Sequence, residues 1–157
     1  MTKDVVGQIR RARAEDAERV RQIAEASFAI YLPRMDRKPF PMLDDYDAHI
    51  ARGSVFVLEE EAGAIAGYAV LLPGDDASLL MDVIAIDPAC QKRGFGRMLM
   101  AFAESEALKR GLCAVSLYTN AAMTENLDWY PRLGYQETGR KKDKGYYRVY
   151  FRKSLSA

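Results

Sequence analysis

The stretch DPACQKRGFGRML, Asp87 to Leu99, sets two glycines, Gly94 and Gly96, inside a strongly basic turn. An apolar run, Leu79 to Ile86, precedes it, and a pattern of helical period follows from Gly94 to Arg110. A helix N-terminus exposes about four unpaired N–H groups and carries roughly half a positive charge. Glycine lets a backbone approach a ligand closely and adopt positive φ. Lys92, Arg93 and Arg97 add full charges beside those amides. Strand, basic glycine turn and helix, in that order, make a seat for phosphates. The competing reading is an ordinary loop that contains glycines.

Two common phosphate motifs do not fit. A P-loop needs Gly-Lys-Ser/Thr, whereas Arg97 and Met98 follow Gly96, so a magnesium-binding hydroxyl is missing and a nucleotide triphosphatase is disfavoured. A dinucleotide fingerprint needs a third glycine three residues after Gly96, where Leu99 stands, and belongs early in a βαβ unit rather than past mid-chain.

Outward from the turn, periodicity lays out the remaining elements. Residues 8–12 read as a short strand. A helix follows with Glu15 and Asp16 in its first turn and an apolar stripe at Ala17, Val20, Ile23, Ala24, Ser27 and Phe28. Pro33, Pro39 and Pro41 forbid a regular helix between Tyr31 and Leu43. Residues 44–52 read as a second helix closed by Gly53, and residues 55–58, 64–72 and 79–86 as strands, with a turn at 73–76. The last of these strands is nearly all apolar, the pattern of a strand buried on both faces; Asp82 is its single charge. Phe95, Leu99, Phe102, Ala103 and Ala107 share one face of the next helix, Glu106 and Arg110 are spaced to pair, and Gly111 suits a C-cap. A strand over 114–119, a helix over 124–132 and an antiparallel pair over 135–138 and 146–153 complete the chain. The order is β-α-α-β-β-β-α-β-α-β-β. That is an α/β (α+β) fold around one mixed, mostly antiparallel twisted sheet of about six or seven strands, flanked by about four helices.

Length fits a single domain over residues 1–157. With 23 basic against 22 acidic residues, the formal charge is +1, which argues against bulk binding of nucleic acid or membrane. The segment from Met1 to Ala14 is polar and lacks the apolar core of a signal peptide. No apolar run approaches the roughly 18 residues of a membrane span. Cys90 and Cys113 are too few for a disulfide framework, and a cytoplasmic protein with free thiols is expected. The tail YYRVYFRKSL, Tyr146 to Leu155, alternates aromatic and basic residues as an amphipathic strand does, without needing a nucleic acid to explain it.

A second motif, TENLDWYPRLGY from Thr124 to Tyr135, carries Tyr130 at a helix end, four residues before Gly134. With the glycine turn, it makes the chain resemble the GNAT superfamily of N-acetyltransferases. The pattern there is Gln/Arg-x-x-Gly-x-Gly/Ala after a strand, then a helix-borne Tyr-x-x-x-Gly-Phe/Tyr. Gln91, Gly94, Gly96, Tyr130, Gly134 and Tyr135 match it, and Lys92 stands where many members carry glycine. The first third matches only in layout.

The resemblance implies acetyl-CoA as acetyl donor and no metal. The cofactor's pyrophosphate would lie on the turn formed by Gln91, Lys92, Arg93, Gly94, Phe95, Gly96 and Arg97. Its pantetheine arm would bond the backbone of Ile84, Ala85 and Ile86 like an added strand. A backbone N–H near Ile84 would stabilise the oxyanion. A primary amine of a small molecule, amino acid or peptide would attack the thioester directly, so neither cysteine is a nucleophile. Cys113 reads as core. Tyr130 would protonate or hydrogen-bond the departing thiolate; its competing reading is a core aromatic beside Trp129. Asp82 lies where a general base could act, or else is a strand residue bonded to backbone N–H groups or to an arginine. Asn126, one turn before Tyr130, would bond the cofactor, unless it is merely solvated. His49, the only histidine, reads as a surface or capping residue.

The loop YLPRMDRKPFPML, Tyr31 to Leu43, offers Tyr31 and Phe40 as acceptor contacts; packing on the core or a homodimer contact explains it equally. A homodimer is an ordinary state for such proteins. The rival function is a catalytically silent acyl-CoA-binding sensor or interaction module of the same fold.

Overall fold

In the computed structural model, which describes residues 7–156, the strands are β1 (Gly7–Arg11), β2 (Val55–Glu60), β3 (Ile65–Pro73), β4 (Ser78–Ile86), β5 (Ala114–Asn120), β6 (Gln136–Asp143) and β7 (Tyr146–Ser154). The helices are α1 (Ala17–Phe28), α2 (Tyr46–Ala51), α3 (Phe95–Lys109) and α4 (Thr124–Arg132). The strands form one seven-stranded sheet in the order β1-β2-β3-β4-β5-β7-β6. The pair β4–β5 is parallel; β1–β2, β2–β3, β5–β7 and β6–β7 are antiparallel. The expected mixed sheet with four helices is what forms. Residues 1–6 of the polar opening segment, and residue 157, lie outside the described residues. Among the described residues, no helix is long and apolar enough to cross a membrane.

The chain divides into two compact units. One runs up to Leu71 and resumes over Val83–Phe102; the other comprises Leu72–Asp82 and Ala103 onward. In the first, the α1 stripe Val20, Ile23 and Ala24 is buried together with Val55, Val57, Leu58, Ala66 and Tyr68. In the second, Leu79, Met81, Ala103, Ala107, Val115, Leu117 and Val149 are buried.

Glu15 and Asp16 sit in a 3-10 turn ahead of α1, and Asp16 does more than meet a helix dipole. Its carboxylate accepts from Arg10 Nη1 at 2.8 Å and from the Arg13 amide at 2.7 Å, with only 8% of the side chain exposed. Arg10 also donates from Nε to Glu59 at 2.7 Å. The Arg10 guanidinium holds the Asp16 carboxyl below its ordinary range. A depressed native pKa stabilises the fold fully above the unfolded value, near pH 4, and that stability is lost as pH falls through the native value. Asp16→Asn should therefore cost about 2 kcal/mol at neutral pH. It should also flatten the fall in stability below about pH 4, read by urea unfolding across pH. An unchanged acid slope would remove Asp16 from the account.

Two expectations about burial fail. Strand β4 is not buried on both faces: Leu79, Met81, Val83 and Ala85 are buried, while Leu80, Asp82, Ile84 and Ile86 are half-buried. An apolar run does not reveal whether the second face has a cover. Cys113 is exposed rather than core, because the tight turn after Gly111, with φ +75°, brings the chain out before β5 begins. The proline-rich segment forms no α-helix, as its prolines dictate, and takes short 3-10 turns at Ala29–Arg34 and Phe40–Met42. The local pairs hold: Arg110 meets Glu106 at 3.1 Å, and the Asp45 side chain caps α2 by accepting from the Ala48 amide at 3.0 Å.

Candidate functional site

In the first unit, Gly67 lets β3 press against the end of β4. A Cβ there would lie 2.7 Å from the Ala85 carbonyl oxygen, so only glycine fits. The ladder between β4 and β5 ends at Met81 opposite Leu117, although β4 continues to Ile86. The main chain of Val83–Ile86 thus pairs with no strand on its β5 side among the described residues, with Ile84 and Ile86 half-buried along it. A strand edge of this kind accepts an extended ligand through main-chain hydrogen bonds.

Asp87 closes the strand. Its carboxylate accepts from the Ala89 amide at 3.0 Å and from Arg19 at 2.6 Å, and these donors hold it below the ordinary carboxylate range. A 3-10 turn over Pro88–Cys90 leads to Gln91, whose side-chain amide donates to the Ile86 carbonyl at 3.3 Å. Lys92 (φ +64°) and Gly94 (φ +85°) both take left-handed backbone, which tightens the turn into α3. The Met98 amide donates to the Gly94 carbonyl at 3.1 Å. The amides of Phe95, Gly96 and Arg97 therefore have no helical acceptor.

Of the three basic side chains, Arg93 is engaged within the protein, 2.7 Å from Glu60 and stacked 4.6 Å from the Phe95 ring centroid. Lys92 and Arg97 are exposed and have no ion-pair partner among the described residues. Burial, then Glu60 and Asp87, push the Cys90 thiol above its ordinary pKa, the wrong direction for a nucleophile.

The proposed acceptor contacts lie in the same unit. Tyr31 is buried, with its ring 6.2 Å from that of Phe28, and Phe40 is partly exposed. His49 is neither a surface residue nor a cap. Its side chain is 12% exposed, and Nε2 lies 3.1 Å from Asp44 Oδ1. His49 Nδ1 and Asp44 Oδ2 are buried without a hydrogen-bond partner among the described residues. No sequence spacing signals this pair.

In the second unit, the Tyr130 motif ends α4. The Tyr135 amide donates to the Tyr130 carbonyl at 3.1 Å, and Gly134 turns with φ +94°. Tyr130 is buried among Trp129, Tyr135 and Phe151, at centroid distances of 5.2, 6.2 and 5.7 Å. Tyr135 donates to Glu104 at 3.1 Å, and its phenol is pushed well above its ordinary pKa by burial and that carboxylate. Asn126 is not simply solvated; its amide donates to Thr119 Oγ1 at 3.1 Å.

Asp82 is met by a group that neither of its competing structural readings contains: it accepts a hydrogen bond from the Tyr118 phenol. Beside this pair, a cavity of about 390 Å³ opens on the second unit, lined by Leu80, Ser116, Tyr118, Lys141, Arg148 and Tyr150 among others. Nothing in the sequence marks Tyr118 or Arg148, since each reads as one alternating position of an amphipathic strand.

The seven-stranded mixed sheet carries a β4 edge without a strand partner that runs into a basic glycine turn at a helix start. The chain belongs to the GNAT family: the family's acetyltransferase (GNAT) domain matches residues 51–137. Among curated proteins, mycothiol acetyltransferase of Nocardia farcinica is 43% identical over 53 residues, covering 34% of this chain and 18% of that protein. The chain thus matches less than a fifth of that relative's length. The PaiA N-acetyltransferase of Thermoplasma acidophilum, solved in complex with coenzyme A, superposes with TM-score 0.78 at 15% identity over 95% of this chain and 99% of the other. The ribosomal-protein-S18-alanine N-acetyltransferase of Escherichia coli does so with TM-score 0.74 at 18% identity, over 97% and 96%. At these identities, the structural likeness is one of fold.

Proposed function

We propose that this protein is an acetyl-CoA-dependent N-acetyltransferase, acting as a single domain, in which a primary amine of a small molecule or peptide attacks the thioester directly. The observation that carries the reading is the run from the edge of Val83–Ile86, without a strand partner, into a turn of bare amides beside exposed Lys92 and Arg97. An edge of main-chain donors and acceptors suits the amides of pantetheine, and a helix start with added cations suits a diphosphate. The residues present therefore fit the donor: Ile84, Ala85 and Ile86 for the arm, and Gln91 through Arg97 for the phosphates. Arg93 joins them only by releasing Glu60.

Acetyl-CoA supplies an activated acyl group, and the protein's task is to orient it and move protons. Asp82 meets the acceptor ammonium and takes its proton. Tyr130 offers a hydrogen bond to the departing thiolate. Asn126, already tied to Thr119, steadies the start of α4 and has its amide carbonyl for the cofactor. An α-amine, with pKa about 8, needs far less help to shed its proton than a lysine-like amine near 10.4.

Acetyl-CoA at 100 times its Kd should stabilise the fold by about 2.7 kcal/mol. For a chain of this size, that raises the melting temperature by roughly 5–10 °C. Thiol release measured across amines, amino acids and peptides then identifies the acceptor. A melting temperature indifferent to acetyl-CoA would sink the assignment.

A further inference from the structure

The main-chain ladder between β4 and β5 ends at Met81 opposite Leu117. The next residue on each strand is Asp82 and Tyr118, and there a side-chain hydrogen bond takes over from the main-chain ones: the Tyr118 phenol donates to Asp82 Oδ1. The Tyr118 ring is itself held. The Arg148 guanidinium lies 4.2 Å from its centroid, and the Tyr150 ring packs at 5.9 Å with a 51° tilt. Arg148 is only 6% exposed and is fixed by Asp143 at 2.7 Å. A stacked guanidinium favours one ring position both electrostatically and sterically. Asp143, Arg148, Tyr118 and Asp82 thus form one connected series, and Tyr118 and Arg148 also line the cavity of the second unit.

We infer that Tyr118 is a positioning residue for acetyl transfer: its phenol fixes the Asp82 carboxylate that meets the acceptor amine, and Arg148 fixes the phenol. This rests on the reading of Asp82 given above. In the step it serves, one ammonium proton passes to the Asp82 carboxylate, the amine nitrogen bonds the acetyl carbon, the carbon–sulfur bond breaks, and the nitrogen's second proton ends on the departing sulfur, giving the amide and the free thiol. Tyr118 keeps its own proton throughout and remains a donor. A freely rotating carboxylate would be correctly oriented for only part of the time, so its loss of orientation appears in turnover and not in acetyl-CoA binding.

The test is a double-mutant cycle on kcat, using Tyr118→Phe, Asp82→Asn and the two combined, with acetyl-CoA Kd and melting temperature measured for each. Tyr118→Phe should lower kcat about tenfold in the wild-type background and less than twofold in the Asp82→Asn background, with acetyl-CoA Kd unchanged in both. Equal factors in the two backgrounds, or a Tyr118→Phe loss accompanied by weakened acetyl-CoA binding, would overturn the inference and make Tyr118 a packing residue. If Asp82→Asn alone kept wild-type turnover, the base assignment and this inference would both fall. The first pair of results leaves the base assignment standing, so the two failures can be told apart.

Discussion

Tyr130→Phe should lower kcat by about 10- to 100-fold while leaving acetyl-CoA affinity unchanged. The magnitude follows from the interaction removed. A hydrogen bond to a group that becomes charged contributes about 1.5–3 kcal/mol, and each 1.4 kcal/mol is a factor of ten. Full proton donation is the weaker alternative: a phenol of pKa about 10 giving its proton to a thiolate of about 8.5 runs uphill by roughly 2 kcal/mol. A hydrogen bond that strengthens as the sulfur gains charge avoids that cost. Phenylalanine keeps the ring among Trp129, Tyr135 and Phe151, so the buried aromatic cluster persists. Steady-state thiol release gives kcat, and calorimetric titration with coenzyme A gives affinity. Turnover equal to wild type would reduce Tyr130 to a core aromatic. A wild-type protein that binds acetyl-CoA yet releases no thiol with any amine would favour the silent acyl-CoA-binding module.

Gly94→Asp should weaken acetyl-CoA binding by about 100-fold, or roughly 3 kcal/mol. Two effects act together. Gly94 sits at φ +85°, where a side chain strains the backbone by about 1–2 kcal/mol. The new carboxylate also stands beside the amides assigned to the diphosphate, replacing a positive potential with like charge. Gly94→Ala separates the two contributions, because it brings the strain without the charge and should weaken binding by about tenfold. Coenzyme A titration of both variants checks the ratio. Wild-type affinity in Gly94→Asp would mean that the diphosphate lies elsewhere.

The amino-acid sequence by itself determines whatever depends on neighbours along the chain. The bounds of α4, the pairing of Glu106 with Arg110, the Gly111 cap and the glycine turn ahead of α3 are set by residues within one or two helical turns. Helical period, left-handed glycine and capping all operate at that range. The motif carrying Gly94 and Gly96 and the one carrying Tyr130 and Gly134 are therefore legible from residue order alone. Tertiary structure decides which face of β4 stays open, that Asp82 meets a phenol 36 residues further along, that Arg148 is buried and that Cys113 is not. Those outcomes follow from strand register and from what covers each sheet face. Two alternating strands look alike in sequence until pairing sets one residue opposite another.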